Sequence, residues 1–157
     1  MTKLKLPAID PRDVPALRGS SYPEPFASRV AGRVRRRVGD ALGLKNFGVN
    51  LTLIEPGAQS ALRHWHARQD EFIYLLEGEL VLVTEAGEQV LTRGMAAGFV
   101  AGNADGHFLV NRSDAPAVYL EVGDRLPGDA AIYPDDDLAA HNRPSQWTFT
   151  HRNGQEY

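Results

Sequence analysis

The 157-residue sequence contains no cysteine. Disulfides, thiolate zinc sites, iron–sulfur clusters and cysteine nucleophiles are excluded with it. A metal site in this chain must therefore use His, Asp, Glu or backbone oxygen. No apolar run approaches the roughly 18 residues that a membrane span needs. The first residues, Met1 to Pro7, carry Lys3 and Lys5 and lack the apolar stretch of a secretory signal. No membrane partner is expected, and a cytoplasmic location is the default. There is no internal repeat and no low-complexity segment. An apolar fraction of 43% excludes disorder along the whole length, and the length suits one domain with terminal arms.

The formal net charge of -3 hides an asymmetry. Residues 1–45 hold 10 Lys/Arg against 4 Asp/Glu, whereas residues 46–157 hold 7 against 16. Arg29, Arg33, Arg35, Arg36 and Arg37 make up much of the basic excess. No aromatic interleaving and no helix-turn-helix pattern accompanies them, so nucleic acid is not the expected partner. The basic arm is expected to pack on the acidic remainder of its own chain or of a partner chain.

Proline at 7, 11, 15, 23 and 25 makes residues 1–28 an extended arm. Val30, Val34, Val38 and Leu42 recur at helical spacing and predict a short helix over 30–42, weakened by Gly32, Gly39 and the β-branched valines. From Asn46 onward the texture is that of short strands. Candidates are 47–54, 60–66, 71–76, 79–84, 89–92, 99–100, 107–111 and 117–122, separated by turn signals such as Glu77-Gly78, Ala86-Gly87 and Arg93-Gly94. Such spacing predicts an antiparallel sandwich or barrel. Phe72 to Leu76 is apolar at nearly every position, which predicts a strand covered on both faces. After Gly123 the prolines and Asp135-Asp136-Asp137 mark loops, with a final strand at 147–150.

Three of the five histidines lie in this β region, at 64, 66 and 107. Residues two apart in a strand share a face, so His64 and His66 stand with α-carbons about 6.5–7 Å apart, close enough to converge on one ion. Glu71 is out of phase with them unless a turn or bulge over Ala67–Asp70 resets the alternation. His107 opens a later strand, and a closed antiparallel barrel can bring all four residues to one interior point. Three neutral imidazoles and one carboxylate suit a divalent first-row metal: Mn, Fe, Co, Ni or Zn. Such a site keeps a positive charge and attracts an anionic or chelating small molecule. Asn111 is expected to be a structural amide. His141 and His151 are expected to be non-ligands, and the three successive aspartates are expected to form a solvated run. Gln59, Asn50, Thr52, Tyr74 and Phe99 are candidates for pocket lining.

Gly57-x6-His64-x-His66-x4-Glu71-x6-Gly78 and Gly94-x7-Gly102-x4-His107-x3-Asn111 resemble, in order, the two motifs of the cupin superfamily. The extra residue before His64, Val100 in place of the usual proline and the longer approach to His107 all fall in loops. The resemblance covers about residues 46–123. It implies an all-β fold, a double-stranded β-helix or jelly-roll barrel. An N-terminal basic arm over 1–45 and a C-terminal extension over 124–157 would pack on this barrel or swap between subunits of a homodimer. By position it implies His64, His66, Glu71 and His107 as metal ligands. The chain is similar to small bacterial cupins described as sugar-phosphate (mannose-6-phosphate) isomerases.

Three functions are compatible with this reading: a metal-dependent isomerase of a sugar phosphate or similar small oxygenated substrate, an Fe(II)-dependent dioxygenase, and a non-catalytic small-molecule sensor. The isomerase needs a base, and no residue outside the ligand set presents itself. It also needs a phosphate clamp, which the arginines at 29–37 supply only if the arm folds over the barrel mouth.

Overall fold

The computed structural model describes residues 6–144 and 146–157, so the first five residues of the expected arm lie outside the described residues. The chain runs through β1 (Ala16–Arg18), β2 (Arg33–Arg36), a one-turn helix α1 (Val38–Ala41), β3 (Phe47–Ile54), β4 (Trp65–His66), β5 (Glu71–Glu77), β6 (Glu79–Thr84), β7 (Gly87–Thr92), β8 (Ala96–Phe99), β9 (Phe108–Val110), β10 (Ala117–Asp124), β11 (Ala130–Tyr133), β12 (Leu138–Arg143) and β13 (Gln146–Thr150). These strands form a six-stranded sheet, β1-β2-β3-β10-β5-β8, a three-stranded sheet, β7-β6-β9, and a four-stranded sheet, β13-β12-β11-β4. Every pairing is antiparallel. Among the described residues no helix is long and apolar enough to cross a membrane.

The first two sheets enclose the larger core. Ile54, Ile73, Leu75 and Tyr119 from one meet Leu80, Leu82, Leu91 and Leu109 from the other. A second apolar cluster, Phe26, Leu62, Ala131, Tyr133, Leu138 and Ala140, fastens the N-terminal arm to the C-terminal sheet. Both ends of the chain are thus part of the barrel wall.

Three expectations are corrected. Over 30–42 the helix is confined to Val38–Ala41, and Arg33–Arg36 is a strand paired with β3. The valine spacing misled because the edge of β3 offers a row of backbone partners and β-branched residues prefer the pleat. Arg33 and Arg35 lie opposite Ile54 and Thr52 and share their inward face. In β5, Ile73 and Leu75 enter the core while Phe72 and Tyr74, 43% and 39% exposed, occupy the outer face. That apolar run lacks a second covering layer in the single chain. The C-terminal segment also holds two strands, β11 and β12, where the sequence showed loops.

Part of the basic arm pairs within its own chain: Arg18 with Glu55 at 2.9 Å and Arg29 with Asp136 at 2.6 Å. The aspartate run is not simply solvated, since Asp135 also takes Arg63 and Asp137 takes His151. Asn111 is fully buried. Its amide donates to the Ile54 and Ala115 carbonyls, and its Oδ1 accepts from Ser113, the structural role expected of it.

Gly78 closes the β5–β6 turn with φ +78°, and a Cβ there would stand 2.9 Å from both the Ala117 Cα and the Pro116 carbonyl oxygen. Gly78→Ala should therefore cost on the order of 2 kcal/mol of stability. Denaturant titration checks this, and an unchanged midpoint would contradict it.

Candidate metal centre

Three segments bring the four candidate ligands together. His64 and His107 form an antiparallel bridge, each backbone N–H donating to the other's carbonyl at 3.2 and 2.8 Å. His66 follows on β4, with Trp65 between it and His64. The chain then leaves the four-stranded sheet and enters the six-stranded one, where Glu71 is the first residue of β5. This change of sheet, more than a bulge within one strand, resets the alternation that separates Glu71 from His66. Asp70 fixes the crossover: its N–H donates to Asp124 and its carboxylate accepts from the Ala101 N–H.

The Nε2 atoms of His64, His66 and His107 lie 3.6, 3.6 and 3.0 Å from the Glu71 carboxylate oxygens. Ligand atoms about 2.0–2.2 Å from one ion stand roughly 3.0–3.5 Å from each other in octahedral or tetrahedral arrangements. The four groups therefore fit a single divalent ion with little adjustment. His64, His66 and Glu71 stand out as a possible metal-binding group, and His107 approaches the same carboxylate. Glu71 Oε2 is buried without a hydrogen-bond partner, an arrangement that a cation would relieve.

The second ring nitrogens fix the imidazoles. Nδ1 of His64 lies 2.8 Å from the Leu62 carbonyl oxygen, and Nδ1 of His66 lies 2.5 Å from Asp129 Oδ2. Each of these contacts makes Nδ1 the donor and leaves the Nε2 lone pair facing Glu71. His107 is held by stacking on Phe99, with ring centroids 3.4 Å apart and planes 2° from parallel. Burial pushes the Glu71 carboxyl up, but the His107, His64 and His66 imidazoles around it outweigh burial and hold it well below the usual carboxylate range. Burial alone would lower His66. The Asp129 hydrogen bond and the Glu71 charge outweigh it and leave His66 above its ordinary value. Burial dominates at His107 and lowers it.

The cluster opens on a cavity of about 220 Å³. At on the order of 15 Å³ per water-sized occupant, this volume holds a small organic molecule. Arg33, Arg35 and Glu121 line it from the six-stranded sheet, and Tyr133 and Trp147 from the C-terminal sheet. Arg35 Nη2 donates to Glu121 Oε1 at 3.4 Å, and Thr52 Oγ1 donates to Glu121 Oε2 at 3.3 Å. Of the suggested lining residues, Phe99 lines the cavity and Thr52 reaches it through Glu121. Tyr74 is on the outer face, and Gln59 bonds the Ala61 carbonyl. His141 contacts Thr150 and His151 contacts Asp137, and neither joins the cluster.

The sequence reading missed Asp129 and Glu121, and it named the arginines at 29–37 only as a clamp conditional on the arm folding over the barrel mouth. Glu121 was accessible in principle, because it alternates with Ala117 and Tyr119 in an apolar strand and must share their face. Asp129 gave no signal; only the packing of β11 against β4 brings it to His66.

Asp129 is fully buried, and its Oδ1 also accepts the Arg68 N–H at 2.8 Å. Asp129→Asn keeps that contact but weakens the hold on His66. It should reduce affinity for Zn(II) or Mn(II) about 10- to 100-fold with little change in secondary structure. Chelator competition measures this, and equal affinities would show that His66 is oriented by other means.

The family model described as cupin domain matches residues 50–123. No curated protein matches the chain. A solved structure titled sugar phosphate isomerase from a cupin superfamily, from Silicibacter pomeroyi DSS-3, is 44% identical over 96% of each chain, with a TM-score of 0.92. A candidate sugar phosphate isomerase from Acidithiobacillus ferrooxidans is 30% identical over 80% of each chain, with a TM-score of 0.71. A polyketide cyclase from Streptomyces resistomycificus shares the fold at 20% identity, over 76% of this chain and 80% of that one, with a TM-score of 0.63. Motif order, barrel topology and near full-length likeness to the first two agree, and the chain belongs to the cupin superfamily.

Proposed function

We propose that the protein is a metal-dependent isomerase of a sugar phosphate or a similar small oxygenated substrate, with His64, His66, Glu71 and His107 as ligands of a divalent transition metal. The observation that carries this reading is the convergence of three Nε2 atoms on one buried carboxylate at 3.0–3.6 Å, beside a cavity of substrate size. The likeness to a protein titled sugar phosphate isomerase supports the reaction class. The ion, when bound, polarises a carbonyl and its neighbouring hydroxyl.

Glu121 supplies the base that the sequence reading lacked. Glu71 is paired with Gly123 across β5 and β10, and Glu121 lies two residues away on the same face, opposite Ile73. Diagonal neighbours of this kind are about 7–8 Å apart, so a substrate held at the cluster presents its reacting carbons to Glu121. The carboxylate takes the proton from the carbon beside the carbonyl. The C–H electron pair becomes a carbon–carbon double bond, and the carbonyl pair moves to oxygen, which is protonated. In the reverse sense at the adjacent carbon, the other hydroxyl loses its proton and becomes the new carbonyl, while Glu121 returns a proton to carbon. Thr52 and Arg35 hold Glu121 in place.

Glu121→Gln should lower aldose–ketose interconversion and deuterium uptake from D2O by about 10²- to 10⁴-fold, with metal affinity little changed. Metal-loaded protein that turns over no sugar phosphate, or that consumes O2 with iron instead, overturns the isomerase reading. Metal occupancy should also fall between pH 7 and pH 5, because a protonated imidazole cannot ligate. His66, raised above 6.5, takes its proton earlier in that descent than an ordinary histidine. Occupancy measured by elemental analysis after dialysis at each pH checks the slope.

A further inference from the structure

Arg33 and Arg35 sit on the same inward face of β2, yet their environments differ. Arg33 is enclosed by carbonyls: Nε and Nη2 donate to Gly19 O at 3.1 and 2.9 Å, and Nη1 donates to Ser60 O at 2.7 Å. Its work is structural, tying the arm to the barrel. Arg35, among the described residues, donates one long hydrogen bond, to Glu121 at 3.4 Å. Its Nε is covered and has no partner. A guanidinium carries five N–H donors, and enclosing it with so few acceptors is costly unless something else meets them. Its side chain is only 25% exposed, and it lines the cavity that contains the histidine cluster.

The charges in that cavity point the same way. Arg33 and Arg35 balance Glu71 and Glu121, and a divalent ion on the neutral imidazoles leaves an excess of two positive charges. A phosphate monoester at neutral pH supplies the matching negative charge and accepts from a planar guanidinium in a bidentate manner.

Strand pairing orders the three groups. Glu71 lies opposite Gly123. Two residues back on β10 is Glu121, and two further back is Tyr119, opposite Thr52, which in turn faces Arg35. Each step along the strand is about 6.5–7 Å. From the metal ligands the cavity therefore runs past Glu121 to Arg35. We infer that Arg35 binds the phosphate of the substrate, so that the N-terminal arm supplies the anion pole of a site whose other pole is the histidine cluster. This deepens, and rests on, the reading of the cavity as a sugar-phosphate site. It selects substrates whose phosphate lies at the far end of a short carbon chain from the chelating oxygens.

The test is calorimetric binding of ribose 5-phosphate and of ribose to the metal-loaded protein, to Arg35→Gln and to Arg35→Lys, with metal stoichiometry and melting temperature measured in parallel. The wild type should prefer the phosphorylated sugar. Arg35→Gln should weaken ribose 5-phosphate about 30-fold while leaving ribose nearly unchanged. Arg35→Lys should recover part of the loss, since charge remains without the bidentate fork, and it provides the readout if the glutamine variant fails to fold. Equal binding of the two sugars by the wild type, failure to bind either, or unchanged discrimination in the variants overturns the assignment. Isomerase failure is separable. Discrimination lost with Arg35 but no turnover of any sugar phosphate keeps the phosphate pole and removes the reaction. Turnover with discrimination intact in Arg35→Gln removes the pole alone.

Discussion

The Glu71 carboxylate is the constraint around which this molecule is organised. It is nearly buried, its Oε2 has no hydrogen-bond partner, and three imidazoles from two other segments of the chain close on it. An anion in that position is unfavourable by itself, and burial works against its ionisation. The surrounding ring nitrogens reverse that balance. The backbone bridge between His64 and His107, the Asp129 bond to His66 and the Phe99 stack on His107 all serve to hold the three rings toward it. Remove any of these, and the remaining groups face a buried charge with less compensation.

The cupin motifs account for this pole of the cavity, and the rest of it is built jointly by the barrel, including Tyr119 and Glu121, and the ends of the chain. The family match stops at residue 123, but the lining residues Tyr133 and Trp147 and the His66 partner Asp129 come from beyond it, and Arg33 and Arg35 come from before it. The apolar cluster around Phe26, Leu62 and Leu138 is what makes this possible, since it buries the arm and the extension against one another beside the cavity mouth. Arg33 is met by three backbone acceptor contacts, so its enclosure is satisfied internally.

Much of the barrel was legible because its strands are bounded by turn residues with a physical reason to be there. Strands 47–54 and 79–84 were placed to the residue, and Gly78 and Gly94 adopt the positive φ expected of tight turns. The ligand cluster was legible because metal chemistry restricts residue types and the absence of cysteine narrowed them further. What could not be read depended on tertiary partners. Val30, Val34 and Val38 keep helical spacing by coincidence, while the free edge of β3 determines that Arg33–Arg36 is a strand. Phe72 and Tyr74 carry no mark that distinguishes an outer face from an inner one. The strands Ala130–Tyr133 and Leu138–Arg143 are short and interrupted by the aspartate run, whose charges are met by Arg63, Arg29 and His151 from distant parts of the chain.

This division has a consequence for how likeness within the superfamily is to be read. A metal pole built from the two motifs can persist while the opposite wall changes, because that wall is made by segments outside the motifs. The polyketide cyclase shares the fold at 20% identity, and at that distance the fold alone is shared. The Silicibacter pomeroyi protein covers this chain almost end to end, arm and extension included, at 44% identity. Likeness over the terminal segments therefore matters to the cavity, since Arg35 and Asp129 lie in those segments and meet Glu121 and His66 of the barrel. In this molecule the four candidate ligands lie inside the family match, and segments outside it reach them from both sides, Arg35 through Glu121 and Asp129 through His66.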